Sequence, residues 1–188
     1  EIDILNIATY QAVSGTGKQA VQELKNQIKD ESVNQEVYPK KIAFNVIPQC
    51  DIFLENDFTK EEMKLVWETK KILDNSIEVN PTTVRVPVFY GHSEAVHLEL
   101  AEKITATKVK NILMDNSNDV VLIDEHKDGG YPCAANECED SNDVFVGRVR
   151  EDISTPNGIN MWVVSNNIRK GAAYNIIQIA LLLIKYYL

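Results

Sequence analysis

Residues 11–20 read "QAVSGTGKQA", and the meaning of this turn decides the fold. An apolar, β-prone run, Ile2–Tyr10, leads into it. A helical pattern over Gly15–Lys29 leads out, with Ala20, Val21, Leu24 and Ile28 at helical spacing. A phosphate-binding loop here would make the chain a nucleotide enzyme. Such a loop requires G-x-x-x-x-G-K-[ST], because its Ser or Thr must reach a magnesium ion. Counted back from Gly17 and Lys18, Ala12 stands where the first glycine should be, and residue 19 is Gln. The phosphate-loop reading fails twice. The dinucleotide fingerprint G-x-G-x-x-[GA] does match, as Gly15, Gly17 and Ala20. That motif also needs a second parallel strand ending in an acidic residue that binds ribose. The next segment, "KDESVNQEVYPKK" (29–41), puts Glu36 near the right distance with no strand leading to it. Two other readings fit better. One is a tight strand-to-helix turn to which Ser14 adds an N-cap. The other is a helix N-terminus whose backbone N–H groups touch a ligand held mainly by another domain.

Outward from the turn, Asp30–Lys41 is a polar loop containing Pro39, and Ile42–Ile47 reads as a strand that Pro48 ends. Thr59 lies three residues before Glu62, a capping-box pattern. The helix it starts runs "EEMKLVWETKKIL", with Met63, Val66, Trp67 and Leu73 toward the core. Thr83–Tyr90 reads as a strand. A helix is expected after His92 and Ser93, with Ala95, Val96, Leu98 and Leu100 as core contacts, then a short one over Val109–Met114. Val120–Ile123, Asp143–Arg150 and Ile159–Val164 read as strands bounded by Asn, Asp, Gly and Pro. Lys170–Tyr187 is the last helix. Strands and helices mix without strict alternation, and no repeat or linker divides the chain. The expectation is one α+β domain over residues 1–188: a mixed, largely antiparallel sheet with helices packed on one face.

The 188 residues are 44% hydrophobic and 25% charged, with a net charge of -9, the profile of a soluble globular protein. No Lys/Arg stripe interleaved with aromatics appears, which speaks against nucleic acid and anionic membrane as partners. Three cysteines, Cys50, Cys133 and Cys138, cannot all pair within one chain, which favours a reducing cytoplasm. The most apolar stretch, Ile176–Leu188, is interrupted by Gln178 and Lys185. It falls short of the roughly 20 residues needed to cross a bilayer and reads as a buried helix. The opening "EIDILNIATY" lacks Met, as expected of a piece of a larger protein.

Four stretches carry the chemistry. "RVPVFYGHSEAV" (85–96) puts Arg85 in a strand and His92 at the turn after it. "TKEEMK" (59–64) spaces Glu61 and Lys64 three apart on a first helical turn. "FVGRVRED" (145–152) and "WVVSNNIRKGAAYNIIQIA" (162–180) follow. With "ATYQAVSGTG" (8–17), "IAFNVIPQ" (42–49) and "WETKKIL" (67–73), this order of motifs resembles aspartate-β-semialdehyde dehydrogenase, in its C-terminal catalytic and dimerisation domain. The resemblance runs over nearly the whole chain and implies a glyceraldehyde-3-phosphate dehydrogenase-like C-terminal fold. It also implies the reductive dephosphorylation of aspartyl phosphate to aspartate semialdehyde, with NADP as hydride carrier, serving lysine, threonine and methionine biosynthesis. A homodimer is implied as well.

By the same resemblance, Gln11 orients substrate beside a nucleophilic cysteine, Glu61 contacts substrate, and Arg85 clamps its carboxylate. Lys64 contacts phosphate, His92 is the general acid/base, and Ser14, Gly15 and Asn167 border the cofactor. The residue types suit these roles. An imidazole titrating near neutrality exchanges protons readily. A planar guanidinium grips a carboxylate bidentately, and an ammonium is a point charge for phosphate. Lys64 on a helix's first turn opposes the macrodipole, so a functional reason is expected. Glu62 is the capping residue, which leaves Glu61 free for substrate. His97, within an acidic helix, and His126, in an acidic loop, read as surface residues. Cys133 and Cys138 near His126 lack the spacing of a zinc site, so no metal is expected.

The family nucleophile belongs to a Ser-Asn-Cys-type motif that none of the three cysteines matches; Cys50 reads as a core residue. The NADP-binding domain and an arginine that shares the phosphate have no counterpart in this sequence. "SNN" and "QIALLL" depart from the family pattern at the closing helix. Residues 1–188 are therefore expected to be the substrate-positioning, dimer-forming half of the enzyme and inactive alone. The rival readings are a non-enzymatic oligomerisation module and the related N-acetyl-glutamyl-phosphate reductase, against which "VRVPV" with "GHSEAV" speaks.

Overall fold

Alternating, β-branched "IDILNIATYQ" forms a ten-residue strand, β1 (Ile2–Gln11), inside a six-stranded sheet. A computed structural model describes residues 1–116 and 119–187. The other strands are β2 (Glu78–Arg85), β3 (His92–Leu100), β4 (Val120–Leu122), β5 (Val144–Glu151) and β6 (Gly158–Ser165). Their order is β2-β1-β3-β6-β5-β4. The β1–β2 and β4–β5 pairs are parallel, and the three pairs between them are antiparallel. This is the mixed, largely antiparallel sheet the sequence implies.

The helices are α1 (Lys18–Lys29), α2 (Lys60–Ile72), α3 (Ala106–Asn116), the single turn α4 (Ala134–Glu137) and α5 (Tyr174–Tyr187). The two long helices that cover the sheet lie on one face. The α2 cap meets Thr83 of β2, and α3 packs Val109 and Leu113 over Val146, Ile159 and Met161. On the opposite face α4 closes a smaller cluster of Ala134, Cys138, Phe145 and Val164. Beyond the end of β1, α1 builds a third core from Ala20, Val21 and Leu24 with Tyr38, Ile42 and Ile47. Two polar side chains of α1 hold the loop in that core. Glu23 Oε2 accepts the amides of Glu36 and Val37, and Gln27 Oε1 accepts those of Ile42 and Ala43.

Several local expectations are corrected. Residues 92–100 form a central strand, not a helix: β3 pairs along its length with both β1 and β6. Ala, Leu and Glu favour a helix, but two neighbouring ladders outweigh that preference. Residues 42–47 form no strand. Asn45 N bonds back to Ile42 O, Phe44 takes a φ of 59°, and only Ile47 bridges, to Arg85. The strand expected at 83–90 lies earlier, at 78–85. Pro81 is accommodated within it because β2 is an edge strand. In α2, Trp67 and Leu73 are 53% and 66% exposed rather than core. A π-helical turn, Arg169–Ala173, precedes α5. That helix is not buried: Ile176 is 66%, Leu182 54% and Tyr187 81% exposed.

Candidate functional site

The parallel register of β1 and β2 sets Gln11 directly beside Arg85, where both strands end. β3 runs antiparallel on the other side of β1, with Ser93 opposite Tyr10, so its first residue, His92, lies at the same end. Ala12, the residue after β1, joins the two side chains. Its carbonyl accepts a hydrogen bond from Arg85 Nη1 at 2.7 Å, and its N–H donates to His92 Nδ1 at 3.0 Å. Ala12 is fully buried and Arg85 is 6% exposed. Arg85 Nε has no partner among the described residues.

The turn of residues 13–15 packs against this pair. A Cβ on Gly15 would lie 3.0 Å from Arg85 Nη1 and 3.2 Å from His92 Nε2, so the backbone approaches as closely as glycine allows. Burial, and then the Arg85 guanidinium, depress the His92 pKa to about 4. The near-neutral titration expected from sequence is thus absent here, and the ring is neutral at physiological pH.

Helix α2 brings the remaining charges. Its capping box is complete: Thr59 accepts from Glu62 N, and Glu62 Oε2 accepts from Thr59 N. Glu62 Oε1 also accepts the Thr83 amide at 3.0 Å, so the first turn of α2 is fastened to the sheet edge. Glu61 consequently reaches Gln11 Nε2 at 3.5 Å and Lys64 Nζ at 3.0 Å. The Glu61 hydrogen bond raises the Lys64 pKa against a smaller opposing effect of burial.

Gln11, Glu61, Lys64, Arg85, His92 and Gly15 therefore form one connected group. Ser14 and Asn167 meet at its border. The Ser14 hydroxyl hydrogen-bonds the Asn167 amide at 3.1 Å, and Asn167 Oδ1 accepts Gly91 N–H at 3.0 Å. Ser14 is not the cap of α1; Gly17 holds that place, with a φ of 117°. The amides of residues 14–17 all donate to backbone carbonyls. Helix geometry leaves Lys18, Gln19 and Ala20 as the amides of α1 without an intrahelical acceptor.

His97 lies in β3 rather than a surface helix, bonded to Asp152 Oδ2 at 2.5 Å and to Asn6 at 3.1 Å. His126 is exposed in its loop. Cys50 is buried, as expected, and burial raises its pKa; burial also raises Cys138, to about 11. Both are protonated at neutral pH. Among the described residues no cluster of His, Cys, Asp or Glu could hold a metal ion. Sequence reasoning passed over Thr9, which accepts from Gln11 Nε2, and Glu94, whose carboxyl burial pushes up. The two-residue alternation Thr9–Gln11 and His92–Glu94 was the available signal. Ala12 acts through its backbone and leaves no signal of residue type.

A neutral imidazole, a buried guanidinium and an ammonium–carboxylate pair around one glycine turn can receive a small anion and polarise its carbonyl. Known proteins resemble the chain along nearly its whole length. Aspartate-semialdehyde dehydrogenase of Shewanella violacea is 53% identical over 191 residues, spanning 99% of this chain and 56% of that protein. Aspartate semialdehyde dehydrogenase II of Vibrio cholerae, complexed with ASA, superposes with a TM-score of 0.95 at 47% identity. The match covers all of this chain and 56% of that one. The Candida albicans enzyme with NADP gives a TM-score of 0.71 at 26% identity, over 97% of this chain and 51% of that one. The chain thus spans about half the length of these relatives. Residues 1–170 match the family described as semialdehyde dehydrogenase, dimerisation domain, and the chain belongs to that family.

Proposed function

We propose that residues 1–188 are the substrate-positioning, dimer-forming part of a cytoplasmic, NADP-dependent aspartate-semialdehyde dehydrogenase. The observation that carries this reading is the convergence of Arg85 and His92 on the backbone of Ala12 and Gly15. Arg85 grips the substrate carboxylate through its guanidinium. Gln11 and Glu61 position the semialdehyde, Lys64 receives phosphate, and His92 Nε2 meets the reacting carbonyl oxygen. The attacking thiolate comes from outside this chain, since Cys50 and Cys138 are buried and protonated and Cys133 caps α4 on the opposite face of the sheet.

The turn can border a dinucleotide, because the helix it opens leaves the Lys18, Gln19 and Ala20 amides without an intrahelical acceptor. Ser14, Gly15 and Asn167 border NADP there, while its main hold lies beyond residues 1–188. When bound, NADP supplies the hydride-transfer chemistry. Helix α5 lies beyond the matched residues 1–170 and exposes apolar side chains from Ile176 to Tyr187, with Asn175, Gln178 and Lys185 on one side, so its apolar surface packs against the rest of the enzyme. The domain pairs with a second copy of itself.

The test is phosphate-dependent NADPH formation from aspartate semialdehyde by the complete enzyme carrying this chain. Arg85→Leu and His92→Ala each lower turnover by at least about 100-fold. A folded wild-type enzyme without this activity, or variants that retain it, would end the proposal. N-acetylglutamate semialdehyde serves as the control substrate and is not turned over.

A further inference from the structure

Asn166, the residue between β6 and Asn167, is 3% exposed and ties two segments together. Its Oδ1 accepts the amides of Ile168 at 3.0 Å and Arg169 at 2.9 Å. Its Nδ2 donates to the carbonyls of Cys138 at 3.1 Å and Glu139 at 2.6 Å, the segment that follows α4. An asparagine side chain offers two acceptor and two donor places, and here all four are filled. The amide is locked in this orientation, because N–H groups only donate and carbonyls only accept. The backbone carbonyl of Asn166 takes the Gly171 amide at 3.1 Å, and that of Ile168 takes Ala173 at 3.0 Å. These are the bonds of the π-helical turn Arg169–Ala173, a rare geometry found mostly at functional sites.

The two halves of the Asn166 amide do different work. The Oδ1 bonds set the direction in which the chain leaves Asn167. The Nδ2 bonds anchor the whole turn to residues 138–139. Asn167 itself reaches away from both. Its Oδ1 accepts the Gly91 N–H, and its Nδ2 donates to Ser14 Oγ. An amide nitrogen carries two N–H groups, so one on Asn167 remains without a partner among the described residues. We infer that Asn166 is a positioning residue for the dinucleotide: its Oδ1 holds the backbone so that Asn167, braced by Ser14 and Gly91, presents that N–H at the cofactor's edge. Asn166 acts through Asn167 and not on the ligand. The inference rests on the function proposed above.

Two variants of the complete enzyme separate this role from plain stabilisation. Asn166→Ala removes both halves of the amide. Asn166→Asp keeps an oxygen for the Ile168 and Arg169 amides but turns its second oxygen toward two carbonyls. Thermal melting should therefore fall in both variants, whereas dinucleotide binding should weaken only in the first. Asn166→Ala should raise the Kd for NADPH, followed by its fluorescence without substrate, by about 10-fold. The KM for semialdehyde and kcat at saturating NADP should stay within about 3-fold of wild type. Asn166→Asp should bind NADPH within about 3-fold of wild type despite its lower melting point. In the dinucleotide-free enzyme, hydrogen exchange at the Gly91 amide, which Asn166 does not touch, should accelerate in Asn166→Ala and not in Asn166→Asp. An Asn166→Ala that binds NADPH like wild type would overturn the inference. So would an Asn166→Asp that binds it as weakly as Asn166→Ala, or a semialdehyde KM that rises as much as the NADPH Kd. If the wild-type enzyme binds no NADPH, the functional reading fails. Exchange at Gly91 then decides the positioning alone, and a rate unchanged by Asn166→Ala refutes it.

Discussion

At the scale of single residues, His92 and Arg85 share one electrostatic balance. The folded His92 pKa, about 4, lies below its ordinary value of 6.5. The unfolded chain therefore binds more protons between those values. The stability contribution is complete above pH 6.5 and is lost as pH falls toward 4. It amounts to about 3 kcal/mol across that window. Urea midpoints of wild type and His92→Gln at pH 7 and pH 4.5 should differ accordingly, the variant losing less on acidification. Arg85→Leu removes the second cause of the depression and should raise the His92 pKa partway, since burial remains; imidazole NMR titration measures this. At Gly15 an added Cβ would press on Arg85 Nη1 and His92 Nε2 at 3.0 and 3.2 Å. Gly15→Ala should cost about 1–3 kcal/mol of strain, expressed in the site. Thermal melting should then fall by several degrees and kcat/KM at least about 10-fold. The sequence reveals these side chains, because Arg, His and Gly in a motif announce their chemistry. It conceals Ala12, which acts through its N–H and C=O alone.

At the scale of elements, α2 shows how a cap can also be an anchor. Thr59 and Glu62 satisfy each other's amides, and the second Glu62 oxygen takes the Thr83 amide on the open edge of β2. Thr59→Ala should lower stability by about 1 kcal/mol, as caps generally do, and chemical denaturation reads this directly. Glu62→Gln keeps helix propensity but turns an amide N–H₂ toward one of the backbone donors. The first turn of α2 should then loosen from β2, carrying Glu61 and Lys64 with it. Hydrogen exchange at residues 60–64 and at Thr83 should accelerate, with an unchanged pattern counting against the anchor. The capping box was readable in the sequence; its tie to β2 was not, because it depends on pairing across the fold. The misreading of β3 has a similar cause. "HSEAVHLEL" carries helix-favouring residues, and only strands distant in sequence, β1 and β6, make it a strand. The 42–47 segment fails in the opposite sense: its apolar Ile42 and Ala43 turn inward under α1 instead of joining the sheet.

At the scale of the whole molecule, the α+β class was legible because turn residues and apolar periods mark each element's ends. Exposure was not, since the apolar spacing of Trp67, Leu73 and α5 is that of core positions although the structure leaves them exposed. Sedimentation of the complete enzyme should give twice the chain mass; a single-chain mass at micromolar concentration would exclude the dimer. The parallel pairing of β1 with β2 has a further consequence. Gln11 and Arg85 become neighbours only after the whole intervening crossover, α1 and α2 included, has been laid down. During translation the first strand leaves the ribosome without its partner and waits for it, an entropically slow closure. The pairing of Gln11 with Arg85 is thus completed late, and truncated translation products that end before residue 78 cannot form it.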